Sequence, residues 1–137
     1  EGFPSDQLVL AQEQTKSSVY SGDGNLDAAI RKMANLKRSV RLIKGDVLDT
    51  IPKYLKEWSN RSALIYLDLD LEEPTRLALE MFSKKMAKGG MILLDQYSRD
   101  GWSETNVVDE FLNKNNTEFE FTTFANSTAP TACLTKK

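Results

Sequence analysis

Asp68 and Asp95 are the residues whose type and placement best suit chemistry. Each follows directly on a short apolar run, Ala63-Leu64-Ile65-Tyr66-Leu67 and Met91-Ile92-Leu93-Leu94. Runs without polar alternation predict strands covered on both faces, and therefore a parallel sheet. Adjacent parallel strands lie about 4.8 Å apart, so carboxylates leaving two neighbouring strand ends can meet. Such a pair holds a cation between them, or shares a proton or hydrogen bond, with Gln96 or Tyr97 as the expected donor; left alone, the two charges repel and one proton is retained to higher pH. The chain has no histidine and a single cysteine, Cys133. That removes the usual zinc ligands, the usual base of Ser-His or Cys-His catalysis and any internal disulfide, so proton transfer falls to a carboxylate, a lysine, a tyrosine or water. The plainer reading of either aspartate is a helix cap or a turn closure.

The elements that must position these acids follow from the pattern around them. Pro74 to Lys88 places Leu77, Leu79, Met81, Phe82 and Met86 among charged residues, which predicts a helix with Pro74 in its first turn and Gly89-Gly90 as its stop. Strand, helix and strand then form one right-handed βαβ unit, and Asp68 and Asp95 emerge at the same carboxyl edge, where open α/β sheets bind ligands. Upstream, residues 1–24 are polar and turn-rich and read as a flexible arm or long connection. Asn25 caps an expected helix to Lys37, Val40 to Lys44 a short strand, and Thr50 to Trp58 a second helix. Downstream, Gln96 to Trp102 forms a loop suited to lining a site, Ser103 to Lys114 a helix, and residues 117–123 and 131–135 a closing hairpin. Asp70, Glu72 and Glu73 read as an acidic first turn complementing the helix dipole.

The global composition excludes more than it assigns. With 137 residues, 40% hydrophobic and 28% charged, the chain reads as a single soluble domain, 1–137. A formal net charge of −2 gives no electrostatic case for nucleic acid or an anionic membrane as partner. No apolar run approaches the ~18 residues of a membrane span, the start is not a basic-then-apolar signal, and a cytoplasmic location is expected.

A set of ordered motifs narrows the reading further. Glu1-Gly2-Phe3-Pro4, Lys44-Gly45-Asp46 with Asp49-Thr50-Ile51-Pro52, Asp68-Leu69-Asp70-Leu71 with Glu73 and Thr75, Gly89-Gly90, Asp95-Gln96-Tyr97, Gly101 and Glu110-Phe111 together resemble the class I S-adenosylmethionine-dependent methyltransferases, and more narrowly the macrocin O-methyltransferase family. The resemblance implies an α/β fold with a Rossmann-like methyltransferase sheet, mostly parallel with a C-terminal antiparallel β-hairpin. It also implies N-terminal truncation: the first strand, the glycine-rich loop and the acid of the second strand have no counterpart, and Glu1-Gly2-Phe3-Pro4 takes the place just after strand two. The implied activity is O-methylation of a hydroxyl on a sugar or small molecule. Gly45, Asp46, Val47 and Asp68 would lie beside S-adenosylmethionine. Asp68, Asp95 and Gln96 would hold Mg²⁺, with Asp68 also the general base. Gln96 departs from the family's acid, leaving two protein carboxylates for the metal. Without the glycine-rich cradle, the expected affinity of this chain for S-adenosylmethionine is negligible.

In a complete member two strands separate strand 40–44 from strand 63–67. Their absence leaves strand 63–67 with an apolar open edge, which predicts that strand 40–44 moves in beside it or that a second copy covers it in a homo-oligomer. Two other classes stay open. One is a non-catalytic α/β module for binding or self-association. The other is a Mg²⁺-dependent phosphatase of the haloacid dehalogenase type, suggested by Asp68-x-Asp70; it ranks lower because the interval to Asp95 leaves no space for its extra strand and Gln96 replaces its second acid.

Overall fold

The computed structural model describes residues 41, 43–97 and 103–137. The chain divides into two compact units, Glu1–Lys44 and Gly45–Lys137; every element below belongs to the second. The expected arm at 1–24 and helix at 25–37 lie outside the described residues. The strand expected at 40–44 does not form where it is described: Arg41, Ile43 and Lys44 carry no regular structure, and Ile43 is exposed.

Helix α1 (Val47–Glu57) starts at Asp46, whose carboxylate accepts the Leu48 N–H at 2.9 Å. That cap pulls the helix start upstream of the expected Thr50. Gly45 precedes it at φ 137°, and a Cβ there would stand 2.9 Å from the Thr50 Cγ2, so the turn needs glycine. Trp58 closes the helix through its N–H to the Tyr54 carbonyl at 3.0 Å, with the two rings stacked 5.5 Å apart.

Strand β1 (Ser62–Leu67), helix α2 (Glu72–Phe82) and strand β2 (Met86–Leu94) form the expected strand-helix-strand unit, with β1 and β2 parallel. The helix stops well short of Lys88, and one 3₁₀ turn, Ser83–Lys85, leads straight into β2. Met86 looked like one more member of the helical apolar face, yet it is the buried first residue of β2. Gly89-Gly90 is therefore an irregularity inside a strand: the register jumps from Ser62↔Met86 to Leu64↔Met91. Gly89 sits at φ 75°, and a Cβ on Gly90 would stand 2.9 Å from the Ala87 carbonyl and 3.1 Å from that of Ala63. Only glycine lets the two backbones approach so closely.

Helix α3 (Ser103–Asn115), strand β3 (Phe119–Thr123) and strand β4 (Ala132–Lys136) complete the unit. Among the described residues the sheet order is β1-β2-β4-β3, with β4 inserted antiparallel to both neighbours. Three strands thus run one way and the last returns, as expected. Helices α2 and α3 pack together, with α1 against α2 and α3 against β3. The core joins Leu67, Ile92, Leu94, Ala132 and Leu134 of the sheet to Ala78, Leu79, Val107, Val108 and Phe111 of the helices. Each buried large aliphatic there contributes roughly 1.5–3 kcal/mol.

The expectation that β1 is covered on both faces is not met. Leu64 is 57% exposed, Tyr66 46% and Met91 43%, while Leu67 and the neighbouring Ile65 turn toward the helices. Continuous apolar sequence marks a strand that asks for cover on two faces, and the described residues supply it on one. Among the described residues strand β1 is an edge of the sheet.

Candidate active site at the carboxyl edge of the sheet

The parallel register brings the two expected aspartates together. Leu67 pairs with Leu94, and the Asp95 N–H donates to the Leu67 carbonyl at 3.0 Å, so Asp68 and Asp95 leave neighbouring strand ends on one edge. Side chains alternate along a strand, which places Leu64, Tyr66 and Asp68 on one face, with Met91, Leu93 and Asp95 beside them. The Tyr66 hydroxyl donates to the Asp95 carboxylate. This is the donor expected of Gln96 or Tyr97; Tyr97 instead donates to Asp109 at 2.7 Å and packs edge-on against Phe121 at 4.9 Å.

The electrostatics show that the acids sense one another. Partial burial and the Asp95 charge push the Asp68 carboxyl up, and burial followed by the charges of Asp68 and Asp95 does the same to Asp70. The Tyr66 phenol, held by its hydrogen bond to Asp95, is raised from 10.0 to about 12. A phenol that keeps its proton so firmly is a fixed donor at neutral pH.

Behind the acids lies a residue that the sequence pattern did not single out. Glu104, in the first turn of α3, is 4% exposed. Its Oε1 accepts the Leu69 N–H at 3.3 Å, the Asp70 N–H at 3.0 Å and the Thr75 hydroxyl at 3.2 Å. Burial raises its carboxyl against these three bonds, which act to lower it. Its signal in the sequence was only an acid one position inside a helix start, indistinguishable from an ordinary dipole-complementing residue.

The other expected site residues do local work. Asp46 gives a carboxylate oxygen to the start of α1, Gly45 makes the turn before it, and the space where a Gly45 side chain would go meets the Thr50 methyl. Val47 is the first residue of that helix. As placed, Gly45, Asp46 and Val47 form a helix start. For Mg²⁺, the set Asp68, Asp95 and Gln96 offers two carboxylates and a neutral amide. Among the described residues no three acidic or cysteine side chains converge as metal ligands, Asp95 already receives the Tyr66 phenol, and Gln96 adds no charge. A cavity of about 110 Å³ lies between α2 and α3, beside Arg76, Leu79, Ser83, Lys84, Phe111 and Lys114; none of the edge acids borders it.

A sheet with parallel β1 and β2, β4 inserted antiparallel, helices on one face and acids at the carboxyl edge defines a Rossmann-like methyltransferase fold. The structure of CalS11, a calicheamicin methyltransferase, superposes over 98% of this chain with a TM-score of 0.69 at 26% identity. An apo structure of the same enzyme, described as a TDP-rhamnose 3'-O-methyltransferase of calicheamicin biosynthesis, matches 69% of this chain with a TM-score of 0.59 at 32% identity. The family model of macrocin O-methyltransferase (TylF) matches residues 2–128, and the chain belongs to that family. A search of curated proteins returns no match. The chain spans 56% and 40% of the lengths of the two CalS11 chains.

Proposed function

We propose that the carboxyl edge of β1 and β2 binds the acceptor hydroxyl of a sugar or similar small molecule for O-methylation, and that Asp68 receives the hydroxyl proton. The observation that carries this reading is the cluster of Asp68, Asp70 and Asp95 at one strand edge, in a member of the macrocin O-methyltransferase family. A base works best when its own proton affinity approaches the working pH, and Asp68 is raised in that direction. Tyr66 occupies Asp95, which leaves Asp68 as the carboxylate facing an incoming hydroxyl. S-adenosylmethionine supplies the methyl group in this family's chemistry.

The CalS11 enzyme is described as acting on TDP-rhamnose, which makes that nucleotide sugar the first acceptor probe. Titrated into the ¹⁵N-labelled chain, it should shift the amides of Leu69, Asp70 and Asp95, and the shifts should vanish in Asp68→Asn. Shifts confined to residues of the α2–α3 cavity, or none at millimolar sugar, would refute the assignment.

A second reading, self-association, rests on β1 being the sheet edge among the described residues and on the exposed Leu64, Tyr66 and Met91. Apolar strand edges pair with other chains unless blocked. Sedimentation velocity should show a concentration-dependent homo-oligomer that Leu64→Lys dissolves; a monomer at every concentration would eliminate this reading.

A further inference from the structure

We propose that Glu104 is a positioning residue: from α3 it clamps the turn after β1 and thereby sets the direction in which Asp68 and Asp70 present their carboxylates. Three observations converge. First, Asp70 is the one non-glycine residue with positive φ, 57°, among the described residues. An L-residue rarely takes the left-handed conformation unless its surroundings enforce it, and such strain gathers at functional sites. Second, the two N–H groups that this turn aims inward, of Leu69 and Asp70, both end on Glu104 Oε1. Third, the same oxygen takes the hydroxyl of Thr75, a fully buried residue one turn into α2. One atom therefore ties together the loop carrying the acids, the start of α2 and the start of α3.

The chemistry of Glu104 argues against a bland packing role. A carboxylate buried without a cation is expensive, and the hydrogen bonds Glu104 accepts from Leu69, Asp70 and Thr75 all come from neutral donors. Gln in its place would accept the same bonds without the charge, and an apolar residue would avoid the desolvation altogether. What Glu104 supplies to the left-handed turn is an acceptor: without one there, two backbone donors lose their partner and Asp70 is released to ordinary extended backbone, which reorients its side chain and that of its neighbour-but-one, Asp68. The proposal deepens the acceptor-site reading and rests on it for its functional meaning, but the clamp itself is observable without any ligand.

The test compares Glu104→Ala, which removes the acceptor, with Glu104→Gln, which keeps it, both in the 137-residue chain. Backbone amide exchange and the φ-sensitive three-bond coupling of Asp70 are the readouts, with the Ile92 and Leu94 amides as the core reference. The clamp predicts that Ala accelerates exchange at Leu69 and Asp70 about tenfold or more, the worth of one charge-assisted hydrogen bond, and changes the Asp70 coupling, while Gln restores both and the core amides stay protected. Unchanged Leu69 and Asp70 amides in the Ala variant would overturn it, as would a Gln variant that behaves like Ala. Should Ala fail to fold, Thr75→Val removes one of the three donors and should leave the Leu69 and Asp70 amides protected; loss of their protection there would place the clamp on Thr75 instead. Failure of TDP-rhamnose to bind the wild-type chain would sink the acceptor reading and leave the clamp result standing on its own.

Discussion

Partial burial and the Asp95 charge hold the Asp68 carboxyl above its usual range, and this has a consequence for stability. A carboxyl raised in the folded chain favours folding when protonated, below its ordinary value, and that contribution is lost as pH rises through the raised value. Asp68→Asn removes the cost of the ionised form. It should therefore raise the melting temperature at neutral pH, with the gain shrinking to nothing on acidification below the ordinary carboxylate range, as thermal melts across pH would show. A loss of stability at neutral pH would mean that the ionised Asp68 is held by a favourable partner. At this scale Asp68 and Asp95 were legible because acids ending apolar runs stand out. Tyr66 was hidden as one more strand residue, although its place two before Asp68 put it on the same face. Glu104 was hidden because its partners, the Leu69 and Asp70 amides, come from a turn whose left-handed backbone no side-chain pattern announces.

The glycine pair in β2 is where element-level reading and structure diverge most. Gly-Gly after an amphipathic stretch signals a helix stop, but the helix had already ended at Phe82, and the pair serves instead to let β2 bend against β1. The two glycines make different demands. Gly89 needs its φ of 75° with open space around it, whereas Gly90 needs room, since a Cβ would press on two carbonyls and on the Met86 Cε, 2.8 Å away. Gly90→Ala should cost about 1–3 kcal/mol, as overpacking does, and Gly89→Ala about 1–2 kcal/mol from backbone strain alone. Urea titrations check both, and a Gly90→Ala variant as stable as the parent would show that the β1–β2 spacing is looser than described. Helices α1 and α3 and both late strands were legible within a few residues, because each has a cap or a clear period. At Arg41, Ile43 and Lys44 the expected strand is not seen, since a short apolar run borrows its structure from neighbours that the local sequence does not name.

For the molecule as a whole, we propose that the acids, the turn and the clamp lie on the acceptor side of a methyl-transfer site, while Gly45, Asp46 and Val47 start a helix. The family was legible from the order of motifs, none of which is specific alone. The donor side was not legible from these motifs, because a cradle for S-adenosylmethionine depends on close backbone approach at glycine-rich turns. That division is tested most directly by one calorimetric titration of S-adenosylmethionine into the 137-residue chain. No saturable heat is expected at millimolar ligand. Saturable micromolar binding would contradict it.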